Sequence, residues 1–143
     1  MKYEEFTVGQ EHHEYHFVTQ EEINAFAQIS GDKNPLHIDP EFASKSIFGK
    51  PIAHGMFGLS LISAALGMNF PGFGTIYMGQ DAKFLKPIFI GETVDIILTV
   101  KNLEPEKKRL LITTRVINEN NDVAIEGEAR VQYNPDLFAE KLN

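Results

Sequence analysis

The feature that most constrains the fold is a charge-free segment, residues 55–68, which is the most apolar stretch of the chain. It begins at a glycine, and residues 71–74, which read Pro-Gly-Phe-Gly, break the pattern after it. Apolar residues occupy nearly every side of the helix that this segment predicts, which is typical of a helix buried on most sides. The rest of the chain must therefore supply a surface that surrounds it.

Segments with strand patterns follow the helix and predict this surface. They cover residues 76–85, 93–103, 110–117 and 123–133. The polar residues 118–122 predict a hairpin turn between the last two. With a short strand at 13–18, the pattern favours an α+β fold in which a twisted antiparallel sheet wraps around one central hydrophobic helix.

Two helix starts precede the central helix. Thr19 and Glu22 have the spacing of a capping box and predict a helix that Gly31 ends. Asp39, followed by a proline, predicts a second and short helix. Because no repeat, low-complexity tract or linker divides the 143 residues, we expect a single domain over residues 1–143.

Composition narrows the classes of function. A net charge of −7 and a pI near 5.2 argue against non-specific nucleic-acid binding, which needs a basic face. The sequence has no cysteine, which excludes disulfides, thiolate metal sites and cysteine nucleophiles. No window approaches the roughly 18 apolar residues of a membrane span, and no apolar segment of a signal peptide follows the N-terminus. We therefore expect a cytoplasmic protein that binds neither nucleic acid nor membrane.

The segment between the first two helices carries the clearest indication of chemistry. Residues 30–37 read Ser-Gly-Asp-Lys-Asn-Pro-Leu-His, which places Asp32 and His37 in a stretch of turn-forming residues. An Asp and a His aimed at one small space can take one proton and give another near neutral pH. Gly55, at the start of the central helix, offers a backbone N–H to a developing negative charge. The alternative is that Asp32 and Asn34 are turn formers that bond their own backbone.

The same segment resembles the signature of the (R)-specific enoyl-CoA hydratases and MaoC-like dehydratases. That signature is an aromatic residue, an aliphatic residue, Ser/Thr-Gly-Asp-x-Asn-Pro-aliphatic-His, and a small residue six positions further on. This chain matches it without a departure at Phe26, Ile29, Ser30, Gly31, Asp32, Asn34, Pro35, Leu36, His37 and Ala43. Residues 51–56 and 84–93 also resemble patterns of the family. The resemblance covers essentially residues 7–133.

The resemblance implies the hot-dog fold, completed by homodimerisation, and reversible syn addition of water to a trans-2-enoyl thioester of CoA or acyl-carrier protein. The product is the (R)-3-hydroxyacyl thioester, and no cofactor or metal is implied. Asp32 and His37 would share the attacking water, with Asp32 favoured as the base and His37 as the acid. The Gly55 N–H would bind the thioester oxygen. Asn34 would orient the loop or the dyad, and Ser63 would lie near the dyad.

Several interpretations stay open at this stage. Gly55 could serve only the close packing of helix and sheet, and Ser63 could bond a carbonyl one turn earlier. His54 is interpreted as a helix-entry residue outside the site. The histidines at 12, 13 and 16 are interpreted as surface residues rather than metal ligands. Basic residues that could meet coenzyme A phosphates are Lys83, Lys86, Lys107, Lys108 and Arg109. The alternative functions are a hot-dog acyl-CoA thioesterase, although such enzymes do not typically carry this signature, and a non-catalytic acyl-thioester-binding subunit.

Overall fold

One antiparallel sheet and one long helix dominate the computed structural model, which describes residues 1–136. The strands are β1 (Glu11–Phe17), β2 (Thr75–Gln80), β3 (Lys83–Phe84), β4 (Thr93–Glu104), β5 (Arg109–Ile117) and β6 (Val123–Tyr133). Their order in the sheet is β1-β4-β5-β6-β2, and β3 also pairs with β6. The helices are α1 (Gln20–Ser30), α2 (Pro35–Ile38), α3 (Pro40–Ser44) and α4 (Gly55–Met68), with single 3₁₀ turns at Tyr3–Glu5 and Pro105–Lys107. The α+β class and the antiparallel pairing are as predicted.

Helix α1 forms where the capping box predicts it. The Glu22 N–H donates to the Thr19 hydroxyl at 3.1 Å, and the Thr19 N–H donates to the Glu22 carboxylate at 3.3 Å. Gly31 ends the helix in the left-handed conformation at φ 82°, and its N–H donates to the Ala27 carbonyl. This conformation favours glycine because it has no Cβ. The chain therefore turns directly from α1 into the loop that contains Asp32.

Helix α4 packs on the inner face of the sheet, against β2, β4, β5 and β6. Its buried side is formed by Phe57, Gly58, Ile62, Ala65 and Leu66. The prediction that this helix is buried on most sides is wrong for the single chain. Its other side is exposed and carries Met56, Ser60, Ser63, Ala64 and Met68. The sheet covers the helix from one side only, so the opposite side lies in solvent.

The single strand predicted at 76–85 is also wrong, because the structure divides it into β2 and β3. The chain crosses Gly127 of β6 so closely that a Cβ on that glycine would lie 1.9 Å from the Asp81 carbonyl oxygen. Asp81 bonds Glu128 twice there, through its own N–H at 3.1 Å and through its carboxylate, which accepts the Glu128 N–H at 3.2 Å. A bulge between Tyr77 and Gly79 precedes this bend. The edge of the sheet therefore bends where the sequence shows only a strand pattern.

The remaining strand predictions are confirmed within two residues at each end. The turn at 118–122 is confirmed as well, and the Asn118 N–H donates to the Asp122 carbonyl across it at 3.0 Å. Within residues 1–136, no helix has the length and apolar character needed to cross a membrane. An antiparallel sheet packed against one long hydrophobic helix is the hot-dog arrangement that the resemblance implies.

Candidate active site

Three segments meet at the N-terminal end of α4, and each contributes one polar side chain. Asp32 comes from the loop after α1, His37 from α2, and His54 directly precedes α4. One nitrogen or carboxylate oxygen from each residue lies within 4.8 Å of those of the other two. His37 and His54 are buried, with 9% and 3% of their surface exposed, whereas Asp32 is exposed. The structure therefore brings Asp32 and His37 together as predicted and adds His54.

A local turn determines the position of the Asp32 carboxylate. Its Oδ1 accepts the Asn34 N–H at 3.2 Å, and the Asp32 N–H donates to the Ser30 hydroxyl at 3.1 Å. The turn-forming role that we considered as an alternative is therefore present. It uses only one carboxylate oxygen, and within residues 1–136 no group hydrogen-bonds the Oδ2 atom. Asp32 can form the turn and still accept a proton.

Asn34 shapes the same loop through its side chain. Its Oδ1 accepts the Leu36 N–H at 3.1 Å, which caps α2, and Pro35 occupies the first position of that helix. We did not predict α2, although an Asn cap followed by proline is a known start signal. The helix matters because it presents His37 one turn later. Asn34 thus orients the loop, one of the two roles predicted for it.

A main-chain acceptor determines the protonation pattern of His37. Its Nδ1–H donates to the Ile52 carbonyl at 2.7 Å. A carbonyl oxygen can only accept, so Nδ1 carries a proton and the neutral ring has its lone pair on Nε2. Ile52 is itself held by a β-bridge to Phe89. His37 can therefore gain and lose a proton at Nε2 while Nδ1 keeps the ring in place.

His54 contacts both members of the predicted dyad, so the interpretation that it lies outside the site is wrong. Its Nε2–H donates to the main-chain carbonyl of Asp32 at 2.9 Å. Its ring stacks on His37, with 3.9 Å between ring centroids and 28° between planes, and meets Phe26 at 4.9 Å. The Nδ1 atom is buried and has no hydrogen-bond partner within the described residues. The only local signal for this residue was its position directly before Gly55.

Gly55 is the first residue of α4, and the structure supports both interpretations of it. Its N–H is one of the unpaired donors of a helix start, and it donates to no group within residues 1–136. A Cβ at this position would also lie 2.8 Å from the Phe84 ring. The donor is available to a ligand, and a side chain there would require Phe84 to move. The role of Gly55 as a thioester donor stays a prediction.

Ser63 lies on the exposed side of α4, about two turns from Gly55, or roughly 12 Å along the helix. The alternative that the Ser63 hydroxyl donates to a carbonyl one turn earlier is wrong, since no such hydrogen bond exists within residues 1–136. The hydroxyl that does so is that of Ser60, which donates to the Phe57 carbonyl at 2.6 Å. Ser63 lines an open groove of about 460 Å³ with Leu59, Ser60 and Tyr77. Burial raises the pKa of Tyr77 to about 12, so its hydroxyl stays protonated and donates to Gln80. Within residues 1–136, no hydrogen bond joins Ser63 to Asp32 or His37, and the groove that Ser63 lines contains neither of them.

The geometry of Asp32, His37 and His54 does not suit one metal ion. One nitrogen of each ring already donates to a carbonyl. The two remaining nitrogens belong to stacked rings tilted by only 28°, so their in-plane lone pairs do not converge at metal–nitrogen distances of about 2.0–2.1 Å. The chemistry that this arrangement can perform is proton transfer.

The histidines of β1 pair with separate carboxylates instead of sharing one site. His12 bonds Glu14 at 2.9 Å and His16 bonds Glu22 at 2.6 Å. His13 bonds Glu11 at 2.5 Å and Asp95 at 3.0 Å, and these two hydrogen bonds raise its pKa. His13 lies on the opposite face of β1 from His12 and His16, and those two are four residues, or roughly 13 Å, apart along the strand, so the three rings do not converge. The surface interpretation is confirmed for His13, which is exposed, and is wrong for His12 and His16, which are half-buried; that none of them is a metal ligand stays a prediction.

The basic residues considered for phosphate binding fall into two distant groups. Lys83 and Lys86 lie at β3 and just after it, beside the Phe84 ring that packs on Gly55. Lys107 and Lys108 lie between β4 and β5, where the Lys108 carbonyl accepts the Tyr133 N–H, and Arg109 begins β5. Lys83 pairs with Glu126 of β6 and Arg109 with Gln132, six residues further on, so the two groups are roughly 20 Å apart along β6. They cannot bind the same phosphate, and the pair near β3 is the one beside the site.

Comparisons with known proteins agree with this geometry. Residues 7–121 match the MaoC like domain. The chain is 43% identical over 111 residues to an (R)-specific enoyl-CoA hydratase of Aeromonas caviae, covering 78% of this chain and 83% of that protein. It is 42% identical over 114 residues to an (R)-specific enoyl-CoA hydratase of Rhodospirillum rubrum, covering 80% and 78%. The solved structure of an unliganded R-hydratase from Pseudomonas aeruginosa superimposes with a TM-score of 0.89 at 37% identity, covering 92% of this chain and 84% of that one. The chain therefore belongs to the MaoC-like domain family and has its hot-dog fold.

Proposed function

We propose that this protein is an (R)-specific enoyl-CoA hydratase. It adds water reversibly to a trans-2-enoyl-CoA to give the (R)-3-hydroxyacyl-CoA. The observation that carries the proposal is the meeting of the Asp32 carboxylate and the His37 ring beside the N-terminus of α4. The identity above 40% to two proteins of that name supports it.

The proton transfers follow from the atoms that are free at the site. Asp32 Oδ2 takes a proton from a water molecule as the water oxygen bonds to C3 of the substrate. His37, protonated on Nε2, gives that proton to C2, while its Nδ1–H stays bonded to Ile52. The C2=C3 π bond is replaced by C2–H and C3–OH bonds, and the two residues regain their starting protonation by proton exchange with water. In the reverse direction the same groups eliminate water.

The transient negative charge of this reaction lies on the thioester oxygen. As C3 is attacked, electrons of the double bond move toward that oxygen and give it enolate character. The Gly55 N–H at the first turn of α4 would donate to it, and the partial positive charge of the helix N-terminus would add to the effect. Delivery of water and proton by Asp32 and His37 from one side of the double bond accounts for syn addition.

We also propose that a single hot-dog domain, residues 1–143, works as a homodimer. Apolar side chains along β2, β3 and the residues beside them are between 40% and 58% exposed; they are Phe73, Ile76, Met78, Phe84 and Leu85. The side of α4 that the sheet leaves open also carries apolar residues, namely Met56, Ala64 and Met68. A two-fold copy would cover both surfaces and pair the free edge at β2. The cytoplasmic location stays a prediction from the sequence.

The test is an assay of the purified protein with crotonyl-CoA and longer enoyl-CoAs. Loss of the enoyl absorbance, with chiral analysis giving the (R)-3-hydroxyacyl product, is the expected result. Release of free thiol without hydration would instead indicate a thioesterase. Tight binding of crotonyl-CoA without turnover would indicate a non-catalytic binding subunit. Parallel assays with acyl-carrier-protein thioesters decide which carrier the site accepts.

A further inference from the structure

We propose that His54 is a positioning residue that holds the Asp32 loop and the His37 ring in the arrangement that proton transfer requires. The part of the inference that concerns the reaction rests on the proposed function. The part that concerns geometry does not, because it follows from contacts of the buried imidazole. His54 is not expected to exchange a proton with substrate or water.

The first observation is the hydrogen bond from His54 Nε2–H to the Asp32 carbonyl, at 2.9 Å. Residues 31–34 are exposed, and their other hydrogen bonds in the described part of the chain reach no further than four positions along the sequence. The bond to His54 spans 22 positions and ties this exposed turn to the start of α4. A turn held only by its own residues would rotate as a unit, and the carboxylate would move with it. His54 therefore determines where the Asp32 carboxylate lies relative to the helix.

The second observation is the stack that His54 forms with His37. His54 is only 3% exposed, and its ring contacts Phe26 as well as His37, with centroid distances of 4.9 Å and 3.9 Å. The His37 ring is held at its edge by the Ile52 carbonyl and on its face by His54. One side chain thus supports the main chain of Asp32 and the ring of His37 at the same time. Its loss would loosen both groups relative to each other.

The third observation concerns the proton on His54. Nε2 carries a hydrogen because it donates to a carbonyl, while Nδ1 is buried without a partner in residues 1–136. The hydrogen bond to the Asp32 carbonyl therefore assigns the neutral ring of His54 to the Nε2–H tautomer, which is the form that supplies the donor to the loop.

Two variants of His54 separate the hydrogen bond from the ring. His54→Phe keeps an aromatic ring for stacking and removes the donor. His54→Gln removes the ring and keeps an N–H donor at about the distance of Nε2 from the main chain. His13→Gln on β1 is the matched control, because it removes a histidine that does not touch the site.

We expect His54→Phe to lower kcat for crotonyl-CoA by about 10- to 100-fold, the scale of a misplaced catalytic group. KM should stay within about threefold, because the thioester donor of Gly55 is untouched. We expect His54→Gln to recover at least part of kcat and His13→Gln to match the wild type. A kcat of His54→Phe within twofold of the wild type would overturn the proposal, because the Asp32 loop would then need no donor from His54.

A measurement without substrate keeps the inference testable by itself. Nitrogen NMR of the imidazole rings in the wild-type protein should show the Nε2–H form for His54 and, when neutral, the Nδ1–H form for His37. An Nδ1–H form for His54 would contradict the hydrogen bond to Asp32 and overturn the proposal. If the wild type fails to hydrate any enoyl thioester while this NMR pattern is found, the proposed function is wrong and the positioning geometry stands.

Discussion

The sharpest test of the site replaces each member of the dyad by asparagine, because asparagine retains the structural hydrogen bond in both cases. In Asp32→Asn, the amide oxygen can still accept the Asn34 N–H that Oδ1 accepts now. In His37→Asn, the amide nitrogen lies near the position of Nδ1 and can still donate to the Ile52 carbonyl. Each variant therefore removes a proton-transfer atom, Oδ2 or Nε2, while leaving the local fold supported.

The expected loss of kcat is about 10² or more for each single variant, since a positioned acid or base contributes about 10²- to 10⁴-fold. A 10²-fold loss corresponds to about 2.7 kcal/mol of transition-state stabilisation. The double variant should be little worse than the worse single variant, because the two groups act in one step. The free energy of unfolding should change little for Asp32→Asn, whose side chain is exposed and whose turn hydrogen bond persists.

The assay is steady-state hydration of crotonyl-CoA, with urea denaturation of each variant as the check on folding. Asp39→Asn is the control from the same region. Asp39 caps α3 by accepting the N–H groups of Glu41 and Phe42, and Asn caps helices about as well as Asp. It should leave kcat within about twofold. Near-normal turnover in Asp32→Asn or in His37→Asn would refute the assignment of the dyad.

Three further predictions follow from the same structure. Sedimentation should show a homodimer, and Ile76→Glu at the exposed β2 edge should dissociate it and lower activity; a fully active monomer at assay concentration would contradict the proposed interface. An ester in place of the amide between His54 and Gly55, made by semisynthesis, removes only the Gly55 donor. It should lower kcat more than it raises KM, because one oxyanion donor contributes roughly 3 kcal/mol of transition-state stabilisation. A wild-type rate for the ester variant would mean that Gly55 serves only packing. The hydrogen bonds from His13 to Glu11 and Asp95 raise the pKa of His13 above 6.5. They therefore stabilise the folded protein fully below about pH 6.5, and this stabilisation is lost as the pH rises through the pKa of His13 in the folded state. Denaturation of wild type and His13→Gln across this window checks it, and identical pH profiles for the two proteins would count against the pairing.

The sequence by itself determined the elements whose ends are marked by residues of special geometry. Thr19 with Glu22 and Gly31 delimit α1 because capping and left-handed backbone are properties of a few adjacent residues. The apolar run from Gly55 predicted α4, and the strand patterns with the polar turn at 118–122 predicted the antiparallel sheet. Asp32 and His37 were predictable for the same reason, because a short contiguous motif presents both from one loop and one turn of helix.

The tertiary structure alone decided the features that depend on what lies opposite a residue. The split between β2 and β3 follows from the close crossing of Asp81 over Gly127, a contact between positions 46 apart in the chain. The exposed side of α4 follows from a sheet that covers one side of the helix, which an apolar pattern does not encode. His54 looked like an ordinary helix-entry residue because its partners, the Asp32 carbonyl and the His37 ring, lie 22 and 17 positions away. Local chemistry determines where helices and turns begin, whereas contacts between distant positions arise only when the packed core brings their segments together.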